Sequence, residues 1–170
     1  ILSAVTTLSW GDNHGQSLDD CILKFADAQV GSWEGNFRFW NQAENQVVDM
    51  EFKNSITKIG DNKLKFAMQS PMGNATTEQP IASEWNGSPN WIKESSTTYK
   101  VTSCDVTYEG AFSEVVWRGT NALSGDSIET TEQVTINRAT GTLIGSSRTK
   151  VIGNDAPAFI WGFNTATKTN

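Results

Sequence analysis

The chain has 170 residues, a formal net charge of -6 at pH 7 and 37% hydrophobic residues. This length suffices for one domain with a sizeable core, and its 13 Lys and Arg residues form no basic run of the kind that binds nucleic acid or anionic membranes. No stretch approaches the roughly 18 apolar residues of a membrane span, so neither nucleic acid nor a membrane is an expected partner.

The N-terminal region divides into an arm and a helix. Residues 1–16 show no periodicity, so we predict an N-terminal arm there. Ser17 and Asp20 resemble a capping pair, which predicts a helix over about Leu18 to Gln29 that Gly31 ends. Its predicted buried face consists of Leu18, Ile22, Phe25 and Ala26, at helical spacing.

From Gly31 onward the hydrophobic period changes to two, which is typical of half-buried strands. The sequence Gly60-Asp61-Asn62 separates two of the alternating runs and is typical of a tight hairpin. The alternation places large apolar side chains on one side of three successive strands: Trp33, Phe37, Phe39, Met50, Phe52, Phe66 and Met68.

The rest of the chain continues the strand pattern. Residues 70–92 are interrupted by Pro and Gly and favour only short strands, whereas longer strands are predicted near residues 95–108, 111–120, 127–137 and 142–152. The final residues, 164–170, are predicted to form a polar tail. Seven or more strands behind one short helix predict an all-β fold, a closed or nearly closed antiparallel up-and-down barrel over residues 17–163.

The two cysteines, Cys21 and Cys104, lie far apart in the sequence. A disulfide between them would tie the helix to the middle of the chain; the alternative is two separate buried thiols. A disulfide, together with a chain that begins at Ile1, fits a secreted or otherwise exported protein of the periplasm, a lumen or the extracellular space.

Residues for catalysis or cofactor binding are few. The only histidine, His14, lies in the predicted arm, and no glycine-rich phosphate loop is present, so we expect no metal and no cofactor. Glu132 shares the alternation of Ile128, Val134 and Ile136, so its carboxyl is predicted to point inward. If the protein is an enzyme, Glu132 and Tyr108 are the candidate catalytic groups; the alternative for Glu132 is a solvated position near the barrel mouth.

The inward apolar side chains are the better functional signal, because eight-stranded barrels can hold one small ligand. The same residue types also fill a dry core, so both interpretations stay open. The predicted ligand-binding residues are Phe37, Phe39, Met50, Phe52, Phe66, Met68, Val116 and Val134.

The sequence Gly31-Ser32-Trp33, directly after a short helix, resembles the Gly-x-Trp opening of lipocalins and their calycin relatives. The resemblance implies a barrel floor closed by Trp33, with an arginine of the last barrel strand packed across the indole; Arg148 is in a suitable position. The Thr-Asp motif of many lipocalins and their C-terminal cysteine are missing, which implies a divergent lipocalin-like barrel. Heme-binding barrels of the nitrobindin type open similarly, but this chain lacks their late histidine.

We therefore expect a carrier of a small apolar ligand, such as a pigment, a fatty acid or a terpenoid. One alternative is an isomerase, cyclase or lyase that acts on an apolar substrate in the same barrel. The other is an accessory subunit or homo-oligomer that docks through surface aromatics, for which the candidates are Trp40, Trp85, Trp91 and Trp161.

Overall fold

The computed structural model describes residues 17–41, 45–86, 98–120, 125–153 and 160–169. The predicted arm, with His14, and the candidate Trp91 lie outside these ranges. Within them lie one helix, α1 (Leu18–Gln29), and ten strands. The strands are β1 (Gly31–Asn41), β2 (Gln46–Ile59), β3 (Lys63–Ser70), β4 (Gly73–Pro80), β5 (Glu84–Asn86), β6 (Thr98–Val106), β7 (Gly110–Thr120), β8 (Ser127–Asn137), β9 (Thr142–Val151) and β10 (Ile160–Thr169).

Helix α1 has the bounds that its sequence predicts. The Ser17 hydroxyl accepts a hydrogen bond from the Asp20 amide at 3.2 Å and caps the N-terminus. The chain leaves the helix through Gly31, whose φ of 140° favours glycine. The buried face differs from the prediction by one residue, because Cys21 is buried and Leu18 is exposed.

All ten strands belong to one antiparallel sheet, in the order β4-β3-β2-β1-β10-β9-β8-β7-β6-β5. Strands that follow each other in sequence are neighbours, except β4 and β5, which form the two edges of the sheet. In addition, the first strand, β1, pairs with the last, β10. The sheet curls into a nearly closed barrel, so the predicted all-β up-and-down fold with one short helix is confirmed.

The seam of the barrel lies between β4 and β5, which no ladder joins within the described ranges. Residues 81–83 connect the two edge strands along the chain. There the Ile81 amide donates to the Asn62 carbonyl at 2.7 Å, and the Val101 amide donates to the Ser83 carbonyl at 2.8 Å. The barrel wall is therefore continuous except along this one line.

Strand β10 overturns the predicted polar tail at residues 164–170, because the strand continues to Thr169. Its register with β1 runs from Ser32 opposite Thr169 to Phe39 opposite Gly162. Ala166 faces the core and is buried, while Thr165 and Thr167 are exposed. The prediction was wrong because it followed hydrophobicity alone, whereas threonine also favours strands.

Helix α1 covers one end of the barrel, which we call the closed end. Its buried Phe25 and Ala26 pack with Trp33 and with residues from strand ends around the barrel, and together they form the main core. These strand residues are Ile56, Leu64, Val106, Ala111, Ile136, Leu143 and Ala166. Cys21 of α1 forms a disulfide with Cys104 of β6, so the first of the two alternatives for the cysteines is the observed one.

We call the half of the barrel farther from α1 the open half. Its inward side chains are less completely buried than those of the closed end. On the inner face of β2, Ile56 is buried, but Met50 and Phe52 retain part of their surface. Phe37 and Phe39 of β1 are likewise half-buried.

Candidate functional site

The inner face of β1, β2 and β3 forms an apolar wall. Phe37 and Phe39 are neighbours on β1, with ring centroids 5.3 Å apart and planes tilted by 31°. Met50 lies opposite Phe37 in the β1–β2 register, and Met68 of β3 lies opposite Asn54 of β2. These apolar side chains point inward and are half-buried.

The structure divides the eight predicted ligand-binding residues into three groups. Phe37, Phe39, Met50 and Met68 belong to the apolar wall of the open half. Phe52, Phe66 and Val134 also point inward, but they pack against the closed-end core.

Val116 is the exception among the eight, because it does not point into the barrel. It lines a groove on the outer face with Lys100, Arg118 and Glu129. The inward residues of β7 are instead its neighbours Val115 and Trp117, both buried. Val115, Val116 and Trp117 are all apolar, so the sequence has no alternation there that would identify the inward residues.

The opposite wall, formed by β7, β8 and β9, carries buried polar groups. Glu132 points inward, as predicted, and accepts a hydrogen bond from the Trp117 indole nitrogen at 3.1 Å. Nearby, the hydroxyls of Thr130 and Thr149 are buried and hydrogen-bonded to each other at 2.8 Å. The interior is therefore apolar on one side and partly polar on the other.

Glu132 has a perturbed environment. Burial raises the pKa of its carboxyl, an effect that the hydrogen bond from Trp117 only partly offsets. Although protein surrounds the carboxyl closely enough to desolvate it, the residue keeps part of its surface accessible. The Glu132 carboxyl is therefore desolvated by the protein around it and held by one hydrogen bond.

Tyr99 of β6, which the sequence reasoning missed, lies near Glu132. Burial, and then the charge of Glu132, raise the pKa of the Tyr99 phenol. The Trp85 ring of β5 stacks on Tyr99, with centroids 3.5 Å apart. The predicted partner, Tyr108, lies instead in the turn between β6 and β7 and is 94% exposed, so the structure does not bring it to Glu132.

Two glycines shape the inner face of β9 and β10. A Cβ at Gly145 would collide with the Asn164 side-chain oxygen, and a Cβ at Gly162 would collide with the Ser147 hydroxyl. A Cβ at Gly162 would also lie 3.5 Å from the Phe37 ring. Asn164 and Ser147 thus lie flat against the sheet, and the apolar wall begins beside them.

Two inward asparagine side chains have unpartnered oxygens. The side-chain oxygens of Asn54 and Asn164 are buried and accept no hydrogen bond from any described residue. Native proteins leave few buried polar atoms in this state, so each one needs an explanation.

At the closed end, Trp33 is 2% exposed and donates its indole N–H to the Gln29 carbonyl at 2.8 Å. The cation above its ring is Lys168 of β10, with the ammonium 5.5 Å from the ring centroid. Arg148 does not have this role, because it is exposed on the outer face of β9, between the inward residues Ser147 and Thr149. The expectation for Arg148 was wrong because successive side chains of a strand point to opposite faces, and both neighbours of Arg148 point inward.

The outer face carries the charged residues in cross-strand pairs. Arg38 pairs with Asp49 at 2.5 Å. Glu129, between Arg118 and Lys150, accepts from both at 2.8 Å. These two cations hold the pKa of Glu129 below its usual range.

The described ranges contain neither a membrane-spanning helix nor a candidate metal site. The helix there is not long and apolar enough to cross a membrane. Nor do those ranges contain three His, Cys, Asp or Glu residues grouped so that they could hold a metal ion.

Comparison with known proteins shows the fold alone. No family model and no curated protein matches the chain. The structure is similar to the crystal structure of Rv2717c from Mycobacterium tuberculosis, with a TM-score of 0.65 and 12% identity over 88% of this chain and 98% of that one. A weaker match, with a TM-score of 0.39, is a Nostoc punctiforme protein of unknown function from the DUF3598 family; it is 11% identical over 85% of this chain and 49% of that one.

Proposed function

We propose that the protein is a carrier that binds one small, mainly apolar molecule inside the barrel, as lipocalin-like proteins do. The observation that carries the proposal is the apolar wall of the open half, where Phe37, Phe39, Met50 and Met68 point inward and are still partly accessible. Aromatic and methionine side chains line ligand pockets because they offer apolar contact and adapt to irregular shapes. The disulfide supports an exported, oxidising location for this carrier.

The test uses a pair of tryptophan substitutions on β3. Met68→Trp adds volume on the inner face, whereas Gln69→Trp adds the same ring on the exposed outer face. Binding of the neutral dye Nile red is measured by fluorescence titration. We expect the wild type and Gln69→Trp to bind alike, and Met68→Trp to bind at least about tenfold more weakly, which is about 1.4 kcal/mol.

Two results would contradict the carrier proposal. One is a wild-type protein that binds no neutral apolar dye. The other is equal affinity of the wild type and Met68→Trp, because the dye would then bind outside the barrel. Native mass spectrometry of gently purified protein is an independent check, since a bound molecule would add its mass to that of the chain.

Glu132 favours a second candidate function, a cofactor-free isomerase, cyclase or lyase. A carboxyl with a raised pKa beside an accessible interior is the kind of group that acts as a general acid or base. Tyr99 replaces Tyr108 as its neighbour in this version. If the purified protein converts a bound ligand and Glu132→Gln does so at the same rate, Glu132 is not the catalytic group and this version of the enzyme hypothesis is wrong.

A further inference from the structure

We propose that the groove on the outer face of β5, β6, β7 and β8 binds an oligosaccharide that contains sugar acids, that is, sugars bearing a carboxylate. We call it the outer groove. It lies on the opposite face of the sheet from the barrel interior, so the proposal does not depend on the carrier function.

The outer groove has the size and position of a binding site. Its volume is about 750 Å³, within the usual range for ligand sites. In the strand register Lys100 of β6 lies opposite Val116 of β7, and Arg118 of β7 lies opposite Glu129 of β8. Because all four residues line the groove, it runs across the strands, and a ligand there would be held by side chains.

Two cations of this face are held by one carboxylate. Glu129 contacts Arg118 with one oxygen and Lys150 with the other, each at 2.8 Å. The Glu129 side chain is only 15% exposed, whereas those of Arg118 and Lys150 are 62% and 56% exposed. The two cations are therefore fixed in place from below, and both keep N–H donors for an anionic group on a ligand.

The balance of charges favours a ligand with few, spaced anionic groups. A second ion pair in the groove joins Lys100 to Glu84 at 2.6 Å. With Arg118, Lys150 and Glu129, this gives three cations and two carboxylates on a chain whose formal net charge is -6. A nucleic acid would bring its dense phosphates against both carboxylates. A sugar acid instead offers a carboxylate to the arginine, whose planar guanidinium matches it, and hydroxyls that donate to Glu84 and Glu129.

The uncharged lining also fits a sugar. Asn86 and Thr98 are exposed polar residues, while Trp85 and Val116 are half-buried and offer apolar contact. Sugar rings likewise combine hydroxyls with apolar C–H surface. An extended acidic peptide gains its affinity mainly from backbone hydrogen bonds at a sheet edge, but this groove extends over the face of the sheet, where the ladders already use the backbone groups.

The experiment compares trigalacturonate with its methyl ester, which is the same trisaccharide without the negative charges, by isothermal titration calorimetry. We expect the wild type to bind trigalacturonate at least about tenfold more tightly than the ester. Arg118→Gln should weaken trigalacturonate binding at least about tenfold and leave the ester almost unchanged. The matched control is Arg38→Gln, because Arg38 is an equally exposed arginine in a cross-strand ion pair with Asp49, and it should bind like the wild type.

Val116→Trp is a second variant, which fills the groove without changing its charge and should also weaken binding at least about tenfold. Its control, Thr135→Trp, adds the same ring at an exposed position of β8 outside the groove lining. The inference is overturned if the wild type does not bind trigalacturonate, if the ester binds as tightly, or if Arg38→Gln and Arg118→Gln lose the same affinity. Equally tight binding of triglutamate would assign the groove to acidic peptides instead. Nile red binding should be unchanged in these four variants, so it reports on the carrier function separately.

Discussion

The two ends of the barrel share the same alternating sequence pattern but differ in how completely their inward side chains are buried. At the closed end, alternation places Trp33 and Ile56 inward, α1 covers them, and both become core. In the open half, alternation places Phe39 and Met50 inward just as regularly, yet these side chains remain partly accessible. The period of a strand thus determines which side chains point inward, but the element packed against them determines whether they become fully buried or stay half-buried.

The largest test of this contrast truncates one aromatic residue at each end. Trp33→Ala removes a fully packed ring and its hydrogen bond to Gln29, so we expect it to lower the free energy of unfolding by about 4 to 5 kcal/mol. Phe39→Ala removes a ring that is already partly exposed and should cost about 1 kcal/mol. Urea denaturation followed by circular dichroism measures both; equal losses would mean that the two ends are packed alike.

The disulfide gives the next largest effect, because it fixes α1 over the closed end. Its cysteines are 83 residues apart, and closing a loop of that length stabilises a folded protein by about 3 to 4 kcal/mol. Cys21→Ala/Cys104→Ala is expected to lose this amount, and the wild type should lose it on addition of reductant. The double variant is its own control, since its denaturation midpoint should not respond to reductant. A wild-type midpoint that reductant leaves unchanged would show that the bond does not form.

The pH dependence of stability should distinguish Glu132 from carboxylates on the outer face. Because burial raises its pKa in the folded state, its contribution is fully present below the ordinary pKa of glutamate and is lost as the pH rises through the folded pKa. Within that window the loss is at most about 1.4 kcal/mol per pH unit.

Glu132→Gln removes this titration, so its stability relative to the wild type should increase as the pH rises from about 4 to about 8. Glu51→Gln makes the same chemical change at an exposed position on β2 and is the matched control. Urea denaturation of the three proteins at several pH values measures the difference. Parallel curves for all three would mean that the Glu132 carboxyl titrates like an exposed one.

The smallest expected effect concerns the cation over Trp33. Lys168→Met is expected to cost about 0.5 to 1 kcal/mol, because the cation and ring interact at an exposed site. Arg148→Met, on the outer face of β9, should change the free energy of unfolding by less than that. If thermal or urea denaturation showed Arg148→Met to be the more destabilising of the two substitutions, Arg148 would be the cation that stabilises Trp33, as the lipocalin resemblance implies.

Much of this architecture was predictable from the sequence, and particular residues show where prediction stopped. The bounds of α1, the up-and-down order and the inward carboxyl of Glu132 all follow from periodicity and capping. The position of Lys168 over Trp33 does not, because it depends on β10 pairing with β1, and no local pattern encodes a partner so distant in sequence. Trp85 was expected on the surface, but it is half-buried and stacks on Tyr99, because β5 has only three residues and too little alternation to indicate a face.

The seam between β4 and β5 gives this barrel a property that a fully closed one lacks. Closed barrels have a circumference set by their strand number and stagger, and widening them breaks hydrogen bonds. Here residues 81–83 connect the two edge strands along the chain, and no described ladder crosses the seam. The described strands on the two sides of this line can therefore separate without breaking a ladder hydrogen bond, which the strands of a closed barrel cannot do.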